Sequence, residues 1–294
     1  MLSAFRSFPR LFLLLALMLA GCASTPYVAG SADSYFTSQQ LADRTKVQIE
    51  RGTPHRGVDT FGWVWGIPAK LILFDRRVEN HRIGEKTEAE IAAYLRDNEL
   101  TTVKVRINQY RPLDDWGRLA ANDAVGAGWR LTFGAVTVLG ETVFPGRLFG
   151  GDHFNPYTNT IHLYSDVPAL ALHEAGHSKD YAGRKWKGTY AAVYNLPGVP
   201  LYQEAIATND ALNYVRTAGD SADLQEAYEI LYPAYGTYVG SAISGSVPYG
   251  YFMGLMGGHI AGQWKSRELG KICEPPSKTY VHPRQPIDRL PFEQ

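Results

Sequence analysis

The residues best equipped for chemistry lie in one short run, Leu172-His173-Glu174-Ala175-Gly176-His177. On a helix, side chains four positions apart stand about 40° apart around the axis, so both imidazoles leave one face. Two imidazoles so placed make a bidentate claw for a divalent cation, most often zinc. Glu174, one position past the first histidine, lies beside such a cation rather than on it. There its carboxylate can take a proton from water that the metal activates, the role of a general base.

Hydrolytic zinc centres take three protein ligands and keep a fourth position for water. Downstream, the stretch from Pro200 to Asp210 reads as a helix that starts at a proline and carries one early glutamate. Glu204 follows His177 by 204 − 177 = 27 positions, enough for a loop and a return beside the first helix. His173, His177 and Glu204 are the expected ligands of one zinc ion, and Glu174 is the expected catalytic residue.

This arrangement resembles the gluzincin zinc metallopeptidases, in which HExxH on one helix is completed by a glutamate on the next. The resemblance covers residues 85–217, and its specific part is these four positions. It implies zinc on His173, His177 and Glu204 with Glu174 as base. Many gluzincins carry an aspartate four residues after the ligand glutamate, supporting a metal-bound histidine. Here that position is Thr208, and the acid comes at Asp210, about 240° from Glu204 around the helix. Thr208 or Asn209 is expected to take the supporting role.

The metal helix is predicted over 167–183, with Asp166 as its cap, Pro168 in its first turn and Gly183 as its stop. Thr87-Glu88-Ala89-Glu90 has the form of a capping box, opening a helix through Asn98 with Ile91, Tyr94 and Leu95 on one face. Val103, Val105 and Ile107 alternate with Lys104 and Arg106, which predicts a half-buried strand; a short helix follows at 113–122. The β-rich runs 129–139 and 141–149 are expected to pair as a hairpin about Gly140. Residues 160–164 read as a strand just before the metal helix. In gluzincins that strand runs along the cleft and can pair with an extended peptide. His153, His162 and Tyr164 are therefore near-site candidates, the alternative being the polar face of an edge strand. Tyr190, Tyr194 or Tyr202 can offer a hydroxyl to an oxyanion, and 183–199 can form a rim or lid. Between Val58 and Val78, Phe61, Trp63 and Trp65 alternate as a strand would, interrupted by Gly62, Gly66 and Pro68. That stretch is expected in the core.

From Ile230 to Trp264 there is no Asp, Glu, Lys or Arg, and Gly250, Gly254, Gly258 and Gly262 recur every four residues. Glycines at that period give a smooth helix face that lets backbones approach. The stretch is long enough for a membrane hairpin but poorly apolar, so two helices packed on the catalytic domain, broken at Pro248, are favoured. His259 on this segment is a further near-site candidate.

The first residues form a targeting segment. Arg6 and Arg10 precede the apolar run Leu11–Met18, which is too short to span a bilayer as a helix. Leu19-Ala20-Gly21-Cys22 resembles the lipobox of bacterial lipoproteins, implying cleavage before Cys22 and lipidation there. Ala23 after the cysteine implies outer-membrane sorting, at the periplasmic face, in a cell with two membranes. Formal charge is 29 − 29 = 0, or 27 − 29 = −2 without Arg6 and Arg10, so no polyanion surface and no nucleic-acid partner are expected. With Cys22 committed, Cys273 has no partner and no disulfide framework exists.

The expected fold is α+β and zincin-like: a small mixed sheet packed on the HExxH helix and the following Glu-bearing helix, plus a Gly-rich C-terminal helical hairpin. The expected segments are a lipoprotein signal peptide (1–21), a tether (22–50), the catalytic domain (51–220), the hairpin extension (221–268) and an irregular tail (269–294). The expected function is zinc-dependent hydrolysis of peptide or protein substrates in the cell envelope. The alternative is a non-catalytic scaffold or assembly lipoprotein with a structural or vestigial metal site, which a fourth protein ligand such as His153 or His259 would favour. Another amide, such as a peptidoglycan cross-link, is a third substrate class.

Overall fold

The computed structural model of the chain describes residues 27–31 and 35–272. The expected signal segment 1–21, the expected lipidation site Cys22, Cys273 and the tail beyond 272 lie outside the described residues. In chain order the elements are α1 (Gln39–Arg44), β1 (Ile49–Arg51), α2 (Arg56–Trp65), α3 (Ile67–Leu73), α4 (Glu85–Asp97), β2 (Lys104–Ile107), α5 (Pro112–Ala121), α6 (Ala135–Val143), α7 (Gly146–Phe149), β3 (His153–Asn155), β4 (Thr160–Leu163), α8 (Pro168–Ala182), α9 (Lys187–Ala192), α10 (Val199–Ala218), α11 (Ser221–Ser244) and α12 (Gly250–Ile272). A helical turn at Ala127–Trp129 and a π turn at Arg130–Gly134 lead into α6.

The class is α+β, with a four-stranded mixed sheet in the order β1-β2-β4-β3. β1, β2 and β4 are parallel, and β3 is antiparallel to β4. Alternation along the strands sends Val105, Ile107, Ile161 and Leu163 to one face. There they form one core with Ile91, Tyr94 and Leu95 of α4, Leu172 of α8, Ala211 of α10 and Leu231 of α11. The first helix of the Gly-rich hairpin, α11, therefore shares the core of α8.

The other face carries Arg106, His162 and His153, aligned by register across three strands. Lys104 and Arg106 were expected to face solvent, yet β2 is buried on both faces. The cause is α5, which covers that side. Arg106 Nε donates to Asp115 at 2.9 Å and its Nη1 to Gln109 at 2.7 Å, so the buried guanidinium keeps its partners.

Residues 129–149 form helix, not the expected hairpin. Threonines 132, 137 and 142 each return their hydroxyl to a carbonyl four residues back at 2.7 Å, which satisfies them inside a helix. One face then buries Val138 against Leu119 and Tyr157, and that packing outweighs the β-branched composition. The aromatic run before Val78 is also helical, as α2 and α3. Nor is it core: Phe61, Trp65 and Phe74 are 47%, 54% and 72% exposed. Phe61 and Trp65 stack on each other, and both rings meet Phe149 of α7 edge-on.

The tether ends far earlier than residue 50. Tyr27 donates to Asn98 and rests on Tyr214, Ser38 caps α1 by accepting from the Leu41 N–H, and β1 joins the sheet. The predicted hairpin at the C-terminal end is present as α11 and α12, and α12 continues to Ile272, past the expected start of the tail. No helix among the described residues is long and apolar enough to cross a membrane.

Candidate metal centre

Pro168 opens α8 as expected, but Asp166 does not cap it; Val167 holds the N-cap position. Asp166 instead accepts from the Gly84 N–H at 2.8 Å and the Thr87 hydroxyl at 2.7 Å, fastening the start of α4. Thr87 is thus an anchor within α4, whose N-cap is Gly84, rather than half of a capping box.

Between the two histidines stands Gly176, where α8 packs tightly on α10. A Cβ there would meet the Ala207 carbonyl oxygen at 3.0 Å and its Cα at 3.2 Å. Glycine lets the helices close up, and Glu204, three residues before Ala207, reaches the imidazoles. Glu204 Oε2 lies 3.1 Å from His173 Nε2 and 3.4 Å from His177 Nε2, and the two Nε2 atoms are 3.1 Å apart. The rings stand nearly perpendicular, at 87°.

These separations test the fit to zinc. Bonds of about 2.0–2.1 Å at tetrahedral angles hold ligand atoms roughly 3.3–3.4 Å apart. Two imidazole nitrogens and a carboxylate oxygen, converging at 3.1–3.4 Å, therefore match three corners of a zinc tetrahedron. Hydrogen bonds to the remaining atoms orient the set. Thr208 Oγ1 lies 3.3 Å from His173 Nδ1, and the Tyr194 hydroxyl donates to Glu204 Oε1 at 2.8 Å. Of the two positions weighed for that support, Thr208 holds it. Asp210 points away, accepting from Lys179 at 2.7 Å and from Tyr94.

Burial pushes the Glu174 carboxyl up to about 7; His173 opposes this and the charges of Glu204 and Asp152 add to it. Burial acts on Glu204 in the same sense, but His177 and His173 overcome it and hold that carboxyl well below the usual range. Two carboxylates that feel each other's charge are thereby split into an ionised candidate ligand and a group able to gain and lose a proton near neutrality.

The other expected residues divide. His153 and His162 stack in a second cluster with Glu141, with Tyr164 in the wall of the same pocket. His259 does not reach the site: its Nε2 donates to the Ile72 carbonyl at 2.7 Å and its ring rests on Phe74, tying α12 to α3. Neither His153 nor His259 joins the three candidate ligands as a fourth. Tyr190 donates to Asp180, and Tyr202 is exposed, so of the three tyrosines only Tyr194 touches the centre. β4 is not an edge strand, since β2 and β3 take both its sides; the free edge beside α8 belongs to β3.

Two residues had no signal in the sequence. Tyr238 of α11 hydrogen-bonds Tyr194; burial first, then the charges of Glu204 and Glu174, keep the proton on its hydroxyl. It stands among glycines that read as packing. Glu141 was hidden by the expectation of a strand at 141–149. The chain matches no protein-family model, no curated protein and no solved structure.

Proposed function

We propose that the chain is a zinc-dependent peptidase acting on peptide or protein substrates in the cell envelope, held there by lipid on Cys22. The observation that carries the reading is the convergence of His173, His177 and Glu204 at the edge lengths of a zinc tetrahedron, with Glu174 on the same helix. The run Leu19-Ala20-Gly21-Cys22 behind a basic, apolar leader supports the location. The zincin-like description of the fold belongs to the same proposal.

Zinc in this set supplies a Lewis acid that polarises a carbonyl and lowers the pKa of water toward ~7. The chain supplies the rest. Glu174 accepts the proton of the attacking water and returns it to the leaving amine, and an affinity lifted toward neutrality suits both transfers. Tyr238, Tyr194 and Glu204 form a hydrogen-bonded chain that fixes the ligand carboxylate. Thr208 fixes the His173 ring, so that its Nε2 faces the ion.

The experiment pairs metal content with cleavage of a casein-derived peptide panel. Wild-type protein loaded with zinc cleaves the panel, whereas Glu174→Gln keeps the wild-type zinc content and loses about 10²–10⁴-fold in rate. Equal cleavage by the two proteins overturns the assignment and returns the scaffold reading.

A further inference from the structure

We propose a second divalent-cation site, formed by Glu141 of α6, His153 of β3 and His162 of β4. It shares no residue with the first. The antiparallel register sets His153 directly opposite His162, and their rings stack with centroids 4.7 Å apart and planes within 10°. α6 crosses that face of the sheet and delivers Glu141. One ligand atom from each of the three lies within 4.8 Å of the others.

The hydrogen bonding around this cluster lacks one positive centre. His153 Nδ1 donates to the Gly151 carbonyl at 3.0 Å, and its Nε2 faces Glu141 Oε1 at 3.1 Å. Either a proton or a cation can sit between that nitrogen and the carboxylate. A proton shared between them satisfies that pair and nothing else. Glu141 Oε2 and His162 Nε2 are both buried without a hydrogen-bond partner, and His162 is only 5% exposed. Orphaned buried polar atoms are uncommon, and two from one cluster point to a shared missing partner. A divalent cation answers His153 Nε2, His162 Nε2 and the Glu141 carboxylate together.

The surroundings match those of metal-binding side chains. The Gly151 carbonyl fixes the His153 tautomer with Nε2 outward, and Asn155 Nδ2 donates to Glu141 Oε1 at 2.8 Å, fixing the carboxylate. Two imidazoles and one carboxylate select zinc or its neighbours in the transition series over magnesium and calcium, which prefer all-oxygen sets. The ion there would fasten α6 to the β3–β4 pair, beside the helix that carries the first centre.

The test is the zinc stoichiometry of the purified protein, loaded with Zn²⁺ alone and freed of excess by gel filtration. Folding of each variant is checked by near-UV circular dichroism. Wild type is expected to hold two equivalents. Glu141→Gln, and His153→Gln at a less buried position, are each expected to hold one. A double variant of the first centre, His173→Ala with His177→Ala, is also expected to hold one. One equivalent in wild type, unchanged in His153→Gln, overturns the second site. So does a first-centre double variant that binds none. If wild type and the double variant each hold one equivalent and His153→Gln holds none, the second site stands and the zinc assignment at His173 and His177 fails instead.

Discussion

Thr208 is where the first centre is most open to a clean substitution. Thr208 Oγ1 lies 3.3 Å from His173 Nδ1, and with zinc on Nε2 that nitrogen would carry the ring proton and donate to the hydroxyl. Valine keeps the shape of threonine and removes the acceptor. Thr208→Val is expected to weaken zinc binding about 10–100-fold, read by competition with a chromophoric chelator, while Thr208→Ser restores most of it. Equal affinity in all three proteins would leave the hydroxyl without a role. At this scale the sequence was most informative where chemistry and helical period coincide, at His173, Glu174 and His177. Glu204 needed only a second helix of the right length. Tyr238 and Glu141 were illegible because no local spacing ties them to the motif; the tertiary path of α11 and α6 brings them in.

Elements were legible where the apolar or small-residue period was clear, although the caps expected at Asp166 and Thr87 do not form, and misread where composition argued against packing. α4, α8, α10 and the α11–α12 hairpin follow apolar or small-residue periods. α6 does not advertise itself, because valines and threonines that read as strand gain more from burying one helical face. The hairpin gives the sharpest test of a sequence pattern turned into contact. A Cβ on Gly254 would lie 2.5 Å from the Gly240 backbone, whereas one on Gly257, three residues on, meets nothing within 4 Å. Gly254→Ala must push two helices apart and is expected to cost about 1–3 kcal/mol in urea unfolding. Gly257→Ala gains helix propensity at no steric cost and is expected to stabilise by about 0.5–1 kcal/mol. If both variants destabilise alike, glycine spacing is not what joins α11 to α12.

At the scale of the whole molecule, the proposed first centre is part of what keeps the fold together. His173 and His177 stand on α8 and Glu204 on α10, and both helices are built into the core shared with the sheet, α4 and α11. Zinc held by the native convergence of these three side chains would bind far better there than to the unfolded chain, so its binding free energy would be added to stability. Free zinc at 100 times its dissociation constant contributes about 2.7 kcal/mol. A domain of this size shifts about 2–4 °C per kcal/mol, so stripping one such ion with a chelator is expected to lower Tm by about 5–11 °C. The chain should remain folded after stripping, because Glu204 still pairs with the two imidazoles and with Tyr194. Readdition of zinc should restore Tm. His177→Ala, which removes one ligand, should show a smaller chelator shift than wild type in the same scanning calorimetry series. A wild-type Tm indifferent to chelation and to added zinc would mean that these side chains meet for a reason other than metal.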